Sequence, residues 1–150
     1  MPIDVFESYL GGWRPDLLTF YKEKLEKPSK SKMSFTAVFL GITYYGYSRI
    51  GYQGFIMLLI LVCIDYILES AYALEIPIFA YGMTYGIVYN DFIIHRARGI
   101  YKKLKAKSLS DEQIIQAISG EGKPSLIEGA VCTLVFVAFF ALETLALESI

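Results

Sequence analysis

Four residues inside apolar stretches are of types that could do chemistry: Asp65, Glu69, Tyr81 and Glu143. Asp65 and Glu69 lie between Arg49 and Glu75, beside the mostly apolar segment from Gly54 to Ile64. Counted from Arg49, Asp65 is 16 residues along, or ~24 Å on an upright helix. Glu143 lies 15 residues from Glu128, and Tyr81 six residues past Glu75, so these side chains come to about one level. A charge at the bilayer centre costs at least ~2.5 kcal/mol, so ionisable residues in spans turn toward the bundle interior or water. Two close carboxylates share a proton. The chemistry open to such a layer is to hold a cation or a proton. In the competing reading, Glu69 and Glu143 simply reach the outer interface while Asp65 is neutral and hydrogen-bonded. The residues leave both open.

Nothing else has catalytic spacing. His95 is the single histidine, which excludes multi-histidine metal sites, and no glycine-rich phosphate loop is present. The chain is therefore not expected to be an enzyme or to carry a cofactor or metal. Cys63 and Cys132 both fall inside apolar blocks, which argues against a disulfide framework or a zinc site. The net charge of −1, with no groove-fitting motif or stacking platform, argues against nucleic acid.

The elements that must position these residues read as membrane helices. Hydrophobic residues make up 55% of the chain and charged ones 19%, below the ~25% usual for soluble domains. The apolar residues come in four blocks: Ser34 to Ser48, Gly51 to Ala73, Ile76 to Ile94 and Leu126 to Leu147. A helical crossing takes ~20 residues, which the last three blocks supply. The first, boxed between Lys32 and Arg49, spans little more than ~20 Å as a helix and suits a re-entrant or interfacial helix.

Charge sets the orientation. Every lysine and arginine except Arg49 lies in residues 1–34 or 95–124. Positive charge stays cytoplasmic, so both segments belong inside and an even number of crossings separates them. The expected fold is all-α: three transmembrane helices plus the short first helix, amino terminus inside. The amino terminus has neither a basic n-region nor an apolar h-region, so no cleaved signal is expected.

The soluble segments are also legible. Residues 1–33 read as a cytoplasmic segment with one amphipathic helix, about Arg14 to Lys27, whose apolar side holds Leu17, Leu18, Phe20, Tyr21 and Leu25. Residues 34–94 hold the short helix and two spans. Residues 95–124 form a basic helical hairpin, in which Ser110 to Gln113 is a capping box and Gly120 a helix end. The capping pattern recurs at Ser125 to Glu128 and opens the last span and outer tail, residues 125–150. Gly82 and Gly86 make a small-xxx-small pattern that admits a close helix neighbour; with Tyr85, between Tyr81 and Tyr89, they form a packing seam. Arg96, Arg98, Lys102, Lys103 and Lys105 are expected to meet anionic lipid headgroups, each contributing ~1 kcal/mol near such a surface.

The order of features resembles a family of small bacterial inner-membrane proteins, the domain of unknown function 2628 family. The resemblance rests on Phe20-Tyr21-Lys22 followed by the aromatic segment Met33 to Arg49, on the third-span exit from Gly86 through Asn90 and His95 to the lysine run, and on the hairpin ending at Gly120 to Ser125. The family typically has a tryptophan near the start of the first block, where this chain has only Trp13, well upstream. The resemblance implies a bacterial membrane protein and carries no activity.

Two functions fit. One is a non-enzymatic accessory or assembly subunit that presents cytoplasmic helices to a protein partner or a second copy, with Leu17, Leu18, Ile114 and Ile118 exposed for contact. The other is a small oligomeric channel or ion pathway through Asp65 and its neighbours, which needs several copies around an axis.

Overall fold

The computed structural model describes residues 1–72 and 76–148, with the side chains of 78, 139, 140 and 142–148 left undescribed. Among the described residues the fold is all-helical: α1 (Ile3–Leu10), α2 (Pro15–Glu26), α3 (Phe35–Tyr47), α4 (Gly51–Tyr72), α5 (Ile78–Lys105), α6 (Asp111–Ile118) and α7 (Leu126–Glu148). One of them, α4, is long and apolar enough to cross a membrane.

The helices sort into two halves with opposite surfaces. In the first, α1, α2 and α6 gather around the outer part of α5. Val5, Phe6, Tyr9 and Leu10 of α1, Leu17, Phe20 and Tyr21 of α2, Ile93, Ile94 and Ala97 of α5, and Ile114 and Ile118 of α6 are all buried. Local signals build this head. Gly11, at φ 56, closes α1 with N–H bonds to the carbonyls of Glu7 and Ser8, the left-handed cap that glycine takes without strain. Ser110 and Gln113 form the expected capping box at α6. The α6–α7 turn is stitched to α1, where the Gly120 N–H donates to the Ser8 carbonyl (3.0 Å) and the Gly122 N–H to the Tyr9 carbonyl (2.9 Å).

This head corrects three expectations. The first segment holds two helices, because α1 precedes the amphipathic α2. Leu17, Ile114 and Ile118 face the core and Leu18 is half-buried, so they are not a contact surface; of the apolar residues assigned to α2, only Leu25 is exposed. The third apolar block is also divided, since Ile93 and Ile94 belong to the head core. Ile78 to Phe92, ~21 Å of α5, runs beside the other apolar helices, with the Phe92 ring against Tyr45 of α3.

In the second half α3 is central, packed against α4, α5 and α7, and large apolar side chains point outward. The exposed set begins at matching places: Phe35 on α3, Tyr52 on α4, Ile87 on α5 and Leu126 on α7. Polar residues stand just beyond each: Ser34, Arg49, Asp91 and Ser125. Exposed Tyr52 and Tyr72 on α4 are ~30 Å apart along the axis, the thickness of a bilayer's hydrocarbon core. Exposed Tyr66 lies between them.

Helix α3 is broken. Gly41, at φ 47 and ψ −128, interrupts it in a region that L side chains avoid. Its course along α5 reverses there. The Ser34 N–H donates to the Gly86 carbonyl at 2.8 Å, and Val38 lies against Gly82. On the return, the Tyr45 hydroxyl donates to the Tyr85 carbonyl at 2.8 Å, and the Ser48 and Tyr89 hydroxyls hydrogen-bond. Both ends of α3 therefore meet α5 within one turn of each other, with the break pointing away from the head. Arg49, at φ 59, makes the corner into α4; its guanidinium pairs with Glu121 at 3.8 Å and Glu128 at 3.5 Å.

Candidate functional site

The break in α3 lines a cavity of about 440 Å³. Val38 to Thr43 form one wall, with Leu58, Val62 and Asp65 of α4, Tyr81, Gly82 and Tyr85 of α5, and Phe136 of α7 around the rest. Gly41 lies in the wall of this cavity.

Asp65 is the acidic residue among the described residues lining this cavity. One carboxylate oxygen accepts the Ile76 backbone N–H at 2.7 Å and the other the Tyr81 hydroxyl at 2.9 Å. The carboxylate thereby ties α4 to the start of α5 and has unused lone pairs left. Of the four residues placed in one layer by sequence, the structure brings Asp65 and Tyr81 together. Glu69 is exposed on α4 and does not line the cavity. It lies ~26 Å from Tyr52 along the axis, close to the level of Tyr72. The side chain of Glu143 lies outside the described residues. Among the described residues, no cluster of three or more His, Cys, Asp or Glu could hold a metal ion.

The glycine seam on α5 faces α3. A methyl group on Gly82 would stand 2.6 Å from the Val38 carbonyl oxygen, and one on Gly86 would strike the Val38 side chain and come within 3.0 Å of the Ser34 carbonyl oxygen. Tyr85 and Tyr89 are buried beside it. The Tyr85 hydroxyl donates to the Gly54 carbonyl at 2.9 Å, and the Tyr85 and Tyr45 rings meet edge to face at 5.1 Å.

The basic run divides. Tyr89 lies between Ile87, the last exposed apolar residue of α5, and Asp91, and so marks the edge of the apolar belt. From it α5 carries Lys102, Lys103 and Lys105 outward by ~20 to 24 Å. Lys105 pairs with Asp111 at 2.8 Å. Arg96 is half-buried in the head beside Tyr9, whose hydroxyl burial pushes to a higher pKa against the pull of that arginine. Arg98, ~14 Å from Tyr89, lies over the Tyr21 ring at 5.7 Å.

Sequence reasoning named Arg98 and His95 but did not single out Lys24, Asp91 and Phe92 beside them. Lys24 of α2 pairs with Asp91 of α5 and lies over the Phe20 ring at 5.5 Å. With Phe92, Ile94, His95 and Arg98 these residues line a groove of about 300 Å³ between the two helices. The i, i+4, i+7 spacing of Asp91, His95 and Arg98 was visible as one helix face; their pairing with Lys24 was not. Nearby, Arg14 bonds Asp16 in a two-point contact of 2.7 and 2.8 Å and lies over the Trp13 and Tyr89 rings.

No family model, curated protein or solved structure matches this chain, so the resemblance noted above rests on the quoted residues alone.

Proposed function

We propose that this chain is a non-enzymatic integral membrane subunit of three crossings, α4, α5 and α7, with α3 a re-entrant helix and the head cytoplasmic; the apolar part of α5, ~21 Å long against a ~30 Å hydrocarbon core, is accommodated by local thinning of the bilayer. The reading is carried by the division between a head that buries its apolar residues and a half that turns them outward along all four apolar helices. The positive-inside rule supports the orientation, because both basic segments contribute to the head. With Leu17, Ile114 and Ile118 enclosed, assembly with a second copy or another membrane protein proceeds through membrane-embedded faces. In mild detergent the protein purifies as an oligomer or with a stoichiometric companion; a clean monomer refutes the subunit role. A cysteine placed at Lys105 stays shielded in intact cells from a membrane-impermeant thiol reagent, and labelling from outside refutes the orientation.

A second reading, an oligomeric ion pathway, is favoured by the Asp65–Tyr81 pair beside the broken helix. Discontinuous helices and intramembrane carboxylates are the parts from which membrane ion sites are built. In proteoliposomes this reading requires cation flux in the wild type that falls to background in Asp65→Asn. Background flux in both ends it.

A further inference from the structure

We propose that the groove between α2 and α5 binds the phosphate of an anionic phospholipid headgroup through Lys24, His95 and Arg98. The proposal rests on the membrane reading above and adds a ligand class and a site to it.

Position is the first argument. The groove spans Asp91 to Arg98 on α5, ~3 to ~14 Å beyond Tyr89, so Asp91 and Phe92 fall within the ~5 to 8 Å headgroup layer and the backbones of His95 and Arg98 stand ~1 to 6 Å outside it. Helical side chains lean toward the amino-terminal end of their helix. On α5 that end points into the apolar half, so His95 and Arg98 lean toward the bilayer. Lys102, Lys103 and Lys105 are too far out for the same role.

Charge and preorganisation are the second. Arg98 and Lys24 each lie over a ring of the head core, Tyr21 and Phe20, both of which are buried. Held this way, the two cations lose little freedom on meeting a ligand. Asp91 occupies part of Lys24, but an ammonium has three donors, and Arg98 and His95 face the same groove. Ile94 and Phe92 supply apolar wall against which the glycerol end of a lipid can rest. A phosphate carries the acceptors that a guanidinium meets in pairs.

His95 is the only histidine, which makes it a specific reporter. Full-length protein is placed in nanodiscs of phosphatidylcholine, with or without phosphatidylglycerol, and its reaction with diethyl pyrocarbonate is timed. Phosphatidylglycerol slows the modification of His95 in the wild type and in Lys102→Gln/Lys103→Gln. In Lys24→Gln/Arg98→Gln the lipid needed for half-protection rises about 25-fold, at about fivefold per charge removed near an anionic surface. Arg98→Gln alone, which leaves the Lys24–Asp91 pair intact, gives about a fivefold rise. Equal rates in the two lipids, or equal loss of protection in the two double variants, overturn the proposal. Inorganic phosphate is the third probe: protection by it in phosphatidylcholine discs, with none from phosphatidylglycerol, overturns the lipid as its source. A chain that fails to enter nanodiscs at all refutes the membrane reading instead, so the two failures are distinct.

Discussion

Replacing Gly82 with alanine tests the packing of the broken helix most directly, because α5 contains its own control. At Gly82 the new methyl carbon would sit 2.6 Å from the Val38 backbone oxygen, well short of the 3.4 Å at which ordinary contact begins. A backbone carbonyl cannot rotate away, so α3 and α5 must separate by roughly 0.8 Å along that contact, at the ~1 to 3 kcal/mol typical of overpacking. Gly99, on the same helix within the head, has nothing within 4 Å of the corresponding position. There the substitution only removes the helix penalty of glycine and is worth up to ~1 kcal/mol of stabilisation. The same gain partly offsets the clash at Gly82, leaving a net loss of ~0 to 2 kcal/mol and a gap between the two variants of ~1 to 3 kcal/mol. Thermal unfolding of purified protein in one detergent reads this gap as midpoints that move in opposite directions. If Gly82→Ala is raised as much as Gly99→Ala, α3 does not lie against α5 and the cavity it lines does not exist in this form.

Two further outcomes test the head. Ile114 is fully buried, so Ile114→Ala lowers head stability by ~2 to 5 kcal/mol in denaturant unfolding, while exposed Leu25→Ala has little effect; a stable Ile114→Ala would return that residue to the surface. The hydrogen bond and charge of Arg14 hold the Asp16 carboxyl below its ordinary pKa. A lowered folded value means that the pair stabilises above the unfolded pKa of ~3.9 and loses that contribution as pH falls through the folded value. Because the Asp16 side chain is 48% exposed, the contribution is ~0.2 to 1 kcal/mol. Asp16→Asn accordingly lowers the unfolding midpoint at pH 6 and not at pH 2, and an equal shift at both refutes the linkage.

Much of the architecture is written locally. The helical class, the α5 extension through the basic run, the capping box at Ser110 and the helix end at Gly120 follow from residues a few positions apart. Block lengths and the grouping of lysine and arginine point to a membrane and an orientation for the same reason: each is additive along the chain. Even α1 had a local signal, Gly11-Gly12, that closes one helix before Pro15 opens the next.

The tertiary structure decided what depends on which residues face each other. Apolar periodicity marks a buried face without saying what buries it, so Leu17, Ile114 and Ile118 read equally well as a partner surface until α1 was seen to cover them. Axial depth placed Asp65, Glu69 and Tyr81 in one layer, but Glu69 stands ~6 Å farther along α4 than Asp65 on nearly the same face. The packing of α5 brings Tyr81 to Asp65 and leaves Glu69 exposed toward the end of α4. The break at Gly41 has the same origin, since glycine permits a reversal and the contacts with Gly82, Gly86 and Tyr85 make it happen. Likewise the basic run was a single charge pattern in sequence. Folding distributed it, with Arg96 turned toward Tyr9, Lys105 paired with Asp111, and Arg98 brought to Lys24 and His95 beyond the edge of the apolar belt.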